Sequence, residues 1–301
     1  MVKNRKTSIR ASREDRIIGG VIAVLVTAIT LSILYPLWFV IIASVSDPLA
    51  LNRGEVLLWP VDFTLMGYEE ILGNSKLWTG YGNTLIYFFA GTAINIALTI
   101  CAAYPLSRQE LDGRNLFVTM ITVTMFVGGG TIPSYLINKS LGIVNTRWVM
   151  LLPGAMSAWN FIVMRTYFQN SIPGELYESA SIDGCSHFKY MGSILLPLSK
   201  PIIAVMILYY GIGHWNDYYT ALIYLRKDGL QPLQIVLRDV LIKNIQLDAT
   251  ADLEDFTVGN TQKAELIKYC MIVVSSFPMM VLYPFLQKYF AKGAMVGSIK
   301  G

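Results

Sequence analysis

The run from Ile17 to Ser46 contains no charged residue, and no other part of the chain restricts the fold as strongly. A bilayer core offers no partner to a bare N–H or C=O, so a segment of spanning length must satisfy its own backbone, as a helix does. The apolar region of a cleavable signal peptide is about 7–15 residues long, so this longer run reads as a retained first membrane helix. Lys3, Arg5, Lys6, Arg10, Arg13 and Arg16 precede it and place the N-terminus inside.

Further apolar runs lie near 83–103, 116–137, 147–168, 201–224 and 268–290, which with the first, about 17–45, predict six spans. The composition agrees: 54% of residues are hydrophobic and 15% charged, far from a soluble domain. The expectation is an all-α integral membrane protein with a cytoplasmic segment 1–16, one transmembrane domain 17–290 and a cytoplasmic tail 291–301. The net charge of +4 is spread over span ends rather than gathered in a patch, so it argues for topology and against nucleic-acid binding. Short segments assigned to the cytoplasm carry Arg108, Arg114, Lys189 and Lys200. The basic residues outside are diluted in longer loops, so N-in and C-in is favoured. Cys101, Cys185 and Cys270 are odd in number and widely spaced, which implies neither a disulfide framework nor a metal site.

The polar stretch Glu178–Pro197 reads ESASIDGCSHFKYMGSILLP and lies between apolar segments, on the cytoplasmic side. Pro173 suits the first turn of a helix, so PGELYESASI can run as a short helix until Gly184 breaks it, and a second short helix can follow. Leu176 with Ala180, and Ser179 with Asp183, have the spacing of one helix face. The stretch resembles the E-A-A-x-x-D-G-A…L-P loop of binding-protein-dependent ABC transporter permeases. Glu178, Ala180, Asp183, Gly184 and Pro197 match its spacing, Ser179 and Cys185 stand where alanine is usual, and Met191 stands where an aromatic is common. The resemblance implies a coupling helix that docks on a separate ATPase.

The third span carries three glycines followed by Pro133. Helical bonding is weak there, and irregular backbone at that depth must be covered by protein or line a cavity. The fifth span carries His214, Trp215, Asn216, Asp217, Tyr218 and Tyr219, about 20–27 Å from its start at Pro201 by helical rise. An intramembrane carboxylate is costly, so Asp217 needs a polar surrounding. The aromatics fit an interfacial belt or a sugar-facing surface equally well. Trp159 and Asn160 complete the pathway candidates. The segments WND…ALIYL, GGGTIPSYL and LGIVNTRWVMLLPG are also similar to carbohydrate-uptake permeases of the polysaccharide branch. The closing GAMVGSIKG is similar to the tail of maltose-type permeases, where Gly297, Ser298 and Lys300 would contact the ATPase. The resemblance therefore implies a bacterial cytoplasmic-membrane complex. It would comprise this chain, a second homologous permease, two ATPase subunits, an extracytoplasmic solute-binding protein, and a sugar, foremost an oligosaccharide.

No G-x-x-x-x-G-K-[ST] occurs, so the chain has no phosphate-cradling loop of its own. ATP and Mg would be used by the partner ATPase, with no cofactor bound here. The two histidines, His187 and His214, lack metal-ligand spacing, and no element places a nucleophile beside a base. An enzyme is not expected. Two other readings stay open: an ion-coupled secondary transporter, with Asp217 as its one good ion site, and a membrane scaffold that transports nothing.

Overall fold

The computed structural model describes residues 13–249 and 258–298. Most of the basic N-terminal segment (Lys3, Arg5, Lys6 and Arg10) and Lys300 of the tail lie outside the described residues. Every regular element among the described residues is helical. In chain order these are α1 (Arg13–Ala43), α2 (Pro48–Asn52), α3 (Met66–Leu72) and α4 (Ser75–Ser107), the last holding a π turn at Tyr87–Gly91. Then come α5 (Arg114–Val123), α6 (Thr131–Ser140), α7 (Trp148–Leu151), α8 (Ala158–Ser171), α9 (Glu175–Ile182) and α10 (His187–Leu198). The last are α11 (Lys200–Trp215), α12 (Tyr219–Tyr224), α13 (Leu233–Ala249) and α14 (Val258–Ser298).

The apolar runs at 17–45, 83–103 and 268–290 fall on long helices, and each of the other three is divided between two shorter ones. Among the described residues three helices are long and apolar enough to cross a membrane, Glu14–Ala43, Ser75–Ser107 and Lys263–Pro284, and the pair α10–α11, bent by 82°, makes a fourth candidate. The helix around the run 83–103 starts earlier, at Ser75, because Asn74 caps it by accepting from the Lys76 N–H at 3.0 Å. Gly80 there packs directly on α13: a Cβ at that position would lie 3.2 Å from the Leu233 backbone. The third run is broken where its glycines predict weakness, with α5 ending at Val123, α6 starting at Thr131, and Gly130 at φ +79°. The last helix continues to Ser298, past the expected span end at 290.

The described residues form two compact units, one drawn from 1–69 with 247–273 and the other from 70–246 with 274–301. In the first, α1 exposes its apolar side chains from Ile17 to Leu37, and Ile42, Ala50 and Val56 form a small core at its end. Asp47 starts α2 by accepting from the N–H groups of Leu49 and Ala50. The second unit holds the main core, in which Ile100, Ala103 and Tyr104 of α4 meet Phe161, Met164 and Phe168 of α8, Ala180 of α9 and Met206 of α11. A second cluster joins Tyr87 to Met150, Tyr224 and Ile235.

In the segment LQIVLRDVLIKNIQL, Leu233, Val236, Leu237, Val240 and Leu241 have the spacing of one apolar helix face, as in a helix lying on the outer surface, but the start of this face is turned inward. Leu233, Ile235, Val236 and Leu237 are all buried. Thr84 Oγ1 accepts from the Leu233 N–H at 2.8 Å, and Asn83 Nδ2 donates to the carbonyls of Gly229 and Gln231. Leu233, Val236 and Leu237 of the apolar face are thus covered inside the chain's own second unit, while Val240 and Leu241 are half-buried.

Candidate functional site

The segment 173–198 builds a rigid pair of short helices. Helix α9 starts at Glu175 with Gly174 as its N-cap, so Pro173 stands just before the helix and not in its first turn as expected, and its C-terminus is closed by two backbone bonds: Gly184 N–H to Ser181 C=O at 3.0 Å and Cys185 N–H to Ala180 C=O at 2.9 Å. This pattern needs a left-handed residue just past the cap, and Gly184 supplies it at φ +71°. Ser186 Oγ then accepts from the Lys189 N–H and starts α10. Gly184→Ala should therefore cost about 1–2 kcal/mol, the penalty of a Cβ in left-handed backbone. Gly192→Ala, where an added Cβ meets nothing within 4 Å, should not destabilise. Thermal midpoints of the two purified variants check this, and equal midpoints would count against the cap.

Ala180 and Tyr190 are buried and anchor the pair in the main core, with Cys185 half-buried beside them. Glu178, Ser179, Asp183, Gly184 and Pro197 are exposed. Leu176 and Ala180 thus do not share one environment, because the inward turn of α9 takes Ala180 and leaves Leu176 at the surface. The sequence reading passed over Ile182 and Phe188, two large apolar side chains 87% and 83% exposed on either side of the Gly184 turn. Large apolar residues in an otherwise polar stretch were the available signal. Behind the pair, α8 is bolted to the end of α4: Arg165 Nε donates to the Leu106 carbonyl at 2.8 Å and Gln169 Nε2 to the Ser107 carbonyl at 3.3 Å. These bonds satisfy carbonyls that a helix end leaves free.

At the end of α11 far from this pair, the candidates separate into two groups. His214 Nε2 lies 2.7 Å from Asn95 Oδ1, while Asn95 Nδ2 donates to the Ala155 carbonyl at 2.6 Å, so His214 must carry its proton on Nε2. The network continues from Asn95 C=O, which accepts from Thr99 Oγ1. Thr99 in turn accepts from the Tyr210 hydroxyl, which accepts from the Ser157 N–H. Trp215 is buried against Phe88 and donates from Nε1 to the Ser275 carbonyl at 3.2 Å. Asp217 Oδ1 accepts from the Thr220 N–H at 3.0 Å and starts α12, which gives its carboxylate a local partner. His214, Trp215 and Asp217 are thereby held in place, and Asn160 is buried at the start of α8. Trp159, Asn216, Tyr218 and Tyr219 are exposed. Of these, Tyr218 and Tyr219 meet edge to face with centroids 6.5 Å apart, and the Tyr219 hydroxyl is 3.4 Å from Thr131 Oγ1 at the start of α6. Among the described residues no group of three His, Cys, Asp or Glu could hold a metal ion. Gly297 and Ser298 fall in the last turn of α14.

Residues 96–294, from α4 through the paired short helices to α14, match the binding-protein-dependent transport system inner membrane component family. The chain belongs to that family. As an inner membrane component of such a system, it is 38% identical over 266 residues to Protein LplC of Bacillus subtilis (strain 168), covering 88% of this chain and 89% of that protein. It is 37% identical over 266 residues to the polygalacturonan/rhamnogalacturonan transport system permease protein YtcP of the same organism, covering 88% and 92%. Its fold matches, at a TM-score of 0.83 and 33% identity over 93% of this chain and 98% of the other, a chain in the crystal structure of a bacterial ABC transporter involved in import of the acidic polysaccharide alginate. Members of the family are permease subunits, which agrees with the missing phosphate-binding loop in this sequence.

Proposed function

We propose that this chain is one permease subunit of an ATP-driven importer and forms half of the translocation pathway for a sugar, foremost an oligosaccharide, handed over by an extracytoplasmic solute-binding protein. The observation that carries the reading is the paired helix α9–α10, anchored through Ala180 and Tyr190 yet presenting Ile182 and Phe188 beside Glu178, Ser179 and Asp183. A braced element with two unpartnered large apolar side chains in a polar rim has the make-up of a docking surface. In the proposed complex it is the coupling helix, seated on one of two ATPase subunits that bind and hydrolyse ATP with Mg. Gly297, Ser298 and Lys300 of the tail make a second contact with them.

The proposed topology is six spans with both termini in the cytoplasm. Residues 1–16 and 291–301 flank a transmembrane domain at 17–290, in which α5–α6 and α7–α8 each count as one broken span. Residues Phe126, Val127 and Ile132 at the α5–α6 break are exposed, and irregular backbone does not survive against lipid. That break therefore faces the second, homologous permease or the pathway. The exposed set Trp159, Asn216, Tyr218 and Tyr219 supplies the pathway surface, and the sugar-transport role of YtcP and of the alginate importer supports the substrate class. His214, Trp215 and Asp217 support it from behind. A scaffold has no use for a broken span, and an ion-coupled carrier would need Asp217 free for the ion.

The direct test is co-purification. The tagged chain should retain its ATPase in detergent, and Ile182→Asp with Phe188→Asp should release it while leaving the second permease bound. Full retention of the ATPase by that double variant would reject the docking assignment.

A further inference from the structure

The end of α4 is joined to α9 by more than the main core. The Arg108 guanidinium carbon lies 3.5 Å from the centroid of the Tyr177 ring, close enough for a face-on cation–π contact. The Tyr177 ring also stacks on His187 of α10, with centroids 5.6 Å apart and planes 21° from parallel, and meets Tyr190 edge-on at 5.2 Å. His187 in turn approaches the Tyr104 hydroxyl of α4 through Nδ1 at 3.3 Å. Glu110 steadies the guanidinium from the other end at 3.2 Å. Around this stack the packing is open: a cavity of about 700 Å³, lined by Cys101, Leu111, Phe188 and Met191 among others, lies between α4 and α10.

We propose that Arg108, Tyr177 and His187 form a clamp through which displacement of the coupling helix is passed to the second span. Covalent connection carries such a displacement into α8 and α11 only. The span α4 is not contiguous with the coupling segment, and the clamp supplies a stiff, directional link to it beside a cavity that transmits little. Arginine suits the position because its planar cation stacks on a ring, which lysine does less well. The inference rests on the coupling role proposed above, and Arg108 and Tyr177 are positioning residues within it.

The test uses the full complex, reconstituted with its ATPase, second permease and binding protein, and measures ATP hydrolysed per sugar taken up. Arg108→Gln and Tyr177→Leu should leave the ATPase bound and hydrolysing while the ratio rises about two- to thirtyfold, the range expected from loss of one cation–π contact. Tyr177→Phe keeps the ring and should restore the ratio to within about twofold of the unmodified complex, since the ring carries the contact. The double variant Arg108→Gln with Tyr177→Leu should be no worse than either single one, because both break the same link. Uptake and hydrolysis falling in proportion, or effects of the two substitutions that add in full, would overturn the clamp. Should Arg108→Gln fail to assemble, Tyr177→Leu against Tyr177→Phe decides alone. Failure of the underlying reading looks different: the unmodified chain would then bind no ATPase, or take up sugar without ATP.

Discussion

Replacing Glu178 with arginine is expected to abolish sugar uptake, by roughly 30-fold or more, while capture of sugar by the solute-binding protein stays unchanged. Glu178 is exposed in the first turn of α9, beside Glu175, where a negative charge also complements the helix dipole. A reversed charge there loses that interaction and, in the proposed complex, meets the basic or polar groups that the carboxylate would face on the ATPase. Truncating one partner of such a contact typically costs about 2–5 kcal/mol, and reversal costs no less. The decisive comparison is labelled-sugar uptake in cells against equilibrium binding by the isolated solute-binding protein. Uptake at the unmodified level would remove Glu178 from the coupling surface.

The second large effect is expected where α4 crosses α11. Each helix offers the other a ring and a notch three residues apart: Phe88 enters the space at Gly211, and His214 enters the space at Gly91. A Cβ at Gly211 would stand 2.6 Å from Phe88 Cε2, and one at Gly91 would overlap the His214 ring. In a helix, Gly→Ala normally gains about 1 kcal/mol. Overpacking costs about 1–3 kcal/mol or more, and neither ring can retreat, since Phe88 packs on Trp215 and His214 is tied to Asn95. The clash wins, so Gly211→Ala and Gly91→Ala should both lower the thermal midpoint and the yield of folded protein. Phe88→Leu should partly rescue Gly211→Ala and not Gly91→Ala. A Gly211→Ala protein as stable as the parent would show that the crossing is looser than described.

Much of this protein can be read directly from its sequence. An uncharged run such as Ile17–Ser46 leaves the backbone one solution, Gly184 marks a turn that only its φ of +71° permits, and the glycines before Pro133 locate the α5–α6 break. These are local effects, in which a few neighbouring residues carry the whole free-energy difference. Glu178, Asp183 and Pro197 are visible for the same reason, as members of one contiguous motif, although the partner proposed for them lies outside the chain.

What tertiary structure alone decided is which face of each helix is spent on packing. Periodicity cannot tell Ala180, buried in the main core, from Ile182, which is 87% exposed. Nor can it tell that Leu233 and Val236 of α13 pack against Gly80 of α4 while Thr84 takes the Leu233 N–H. The polar residues at the end of α11 looked alike in sequence, but distant groups sort them. Asn95 engages His214 across 119 positions and Ser275 engages Trp215 across 60, leaving Asn216, Tyr218 and Tyr219 at the surface. The stretch Glu178–Pro197 is thus defined twice: its helices and turn by local residue chemistry, its outward face by contacts with residues far along the chain.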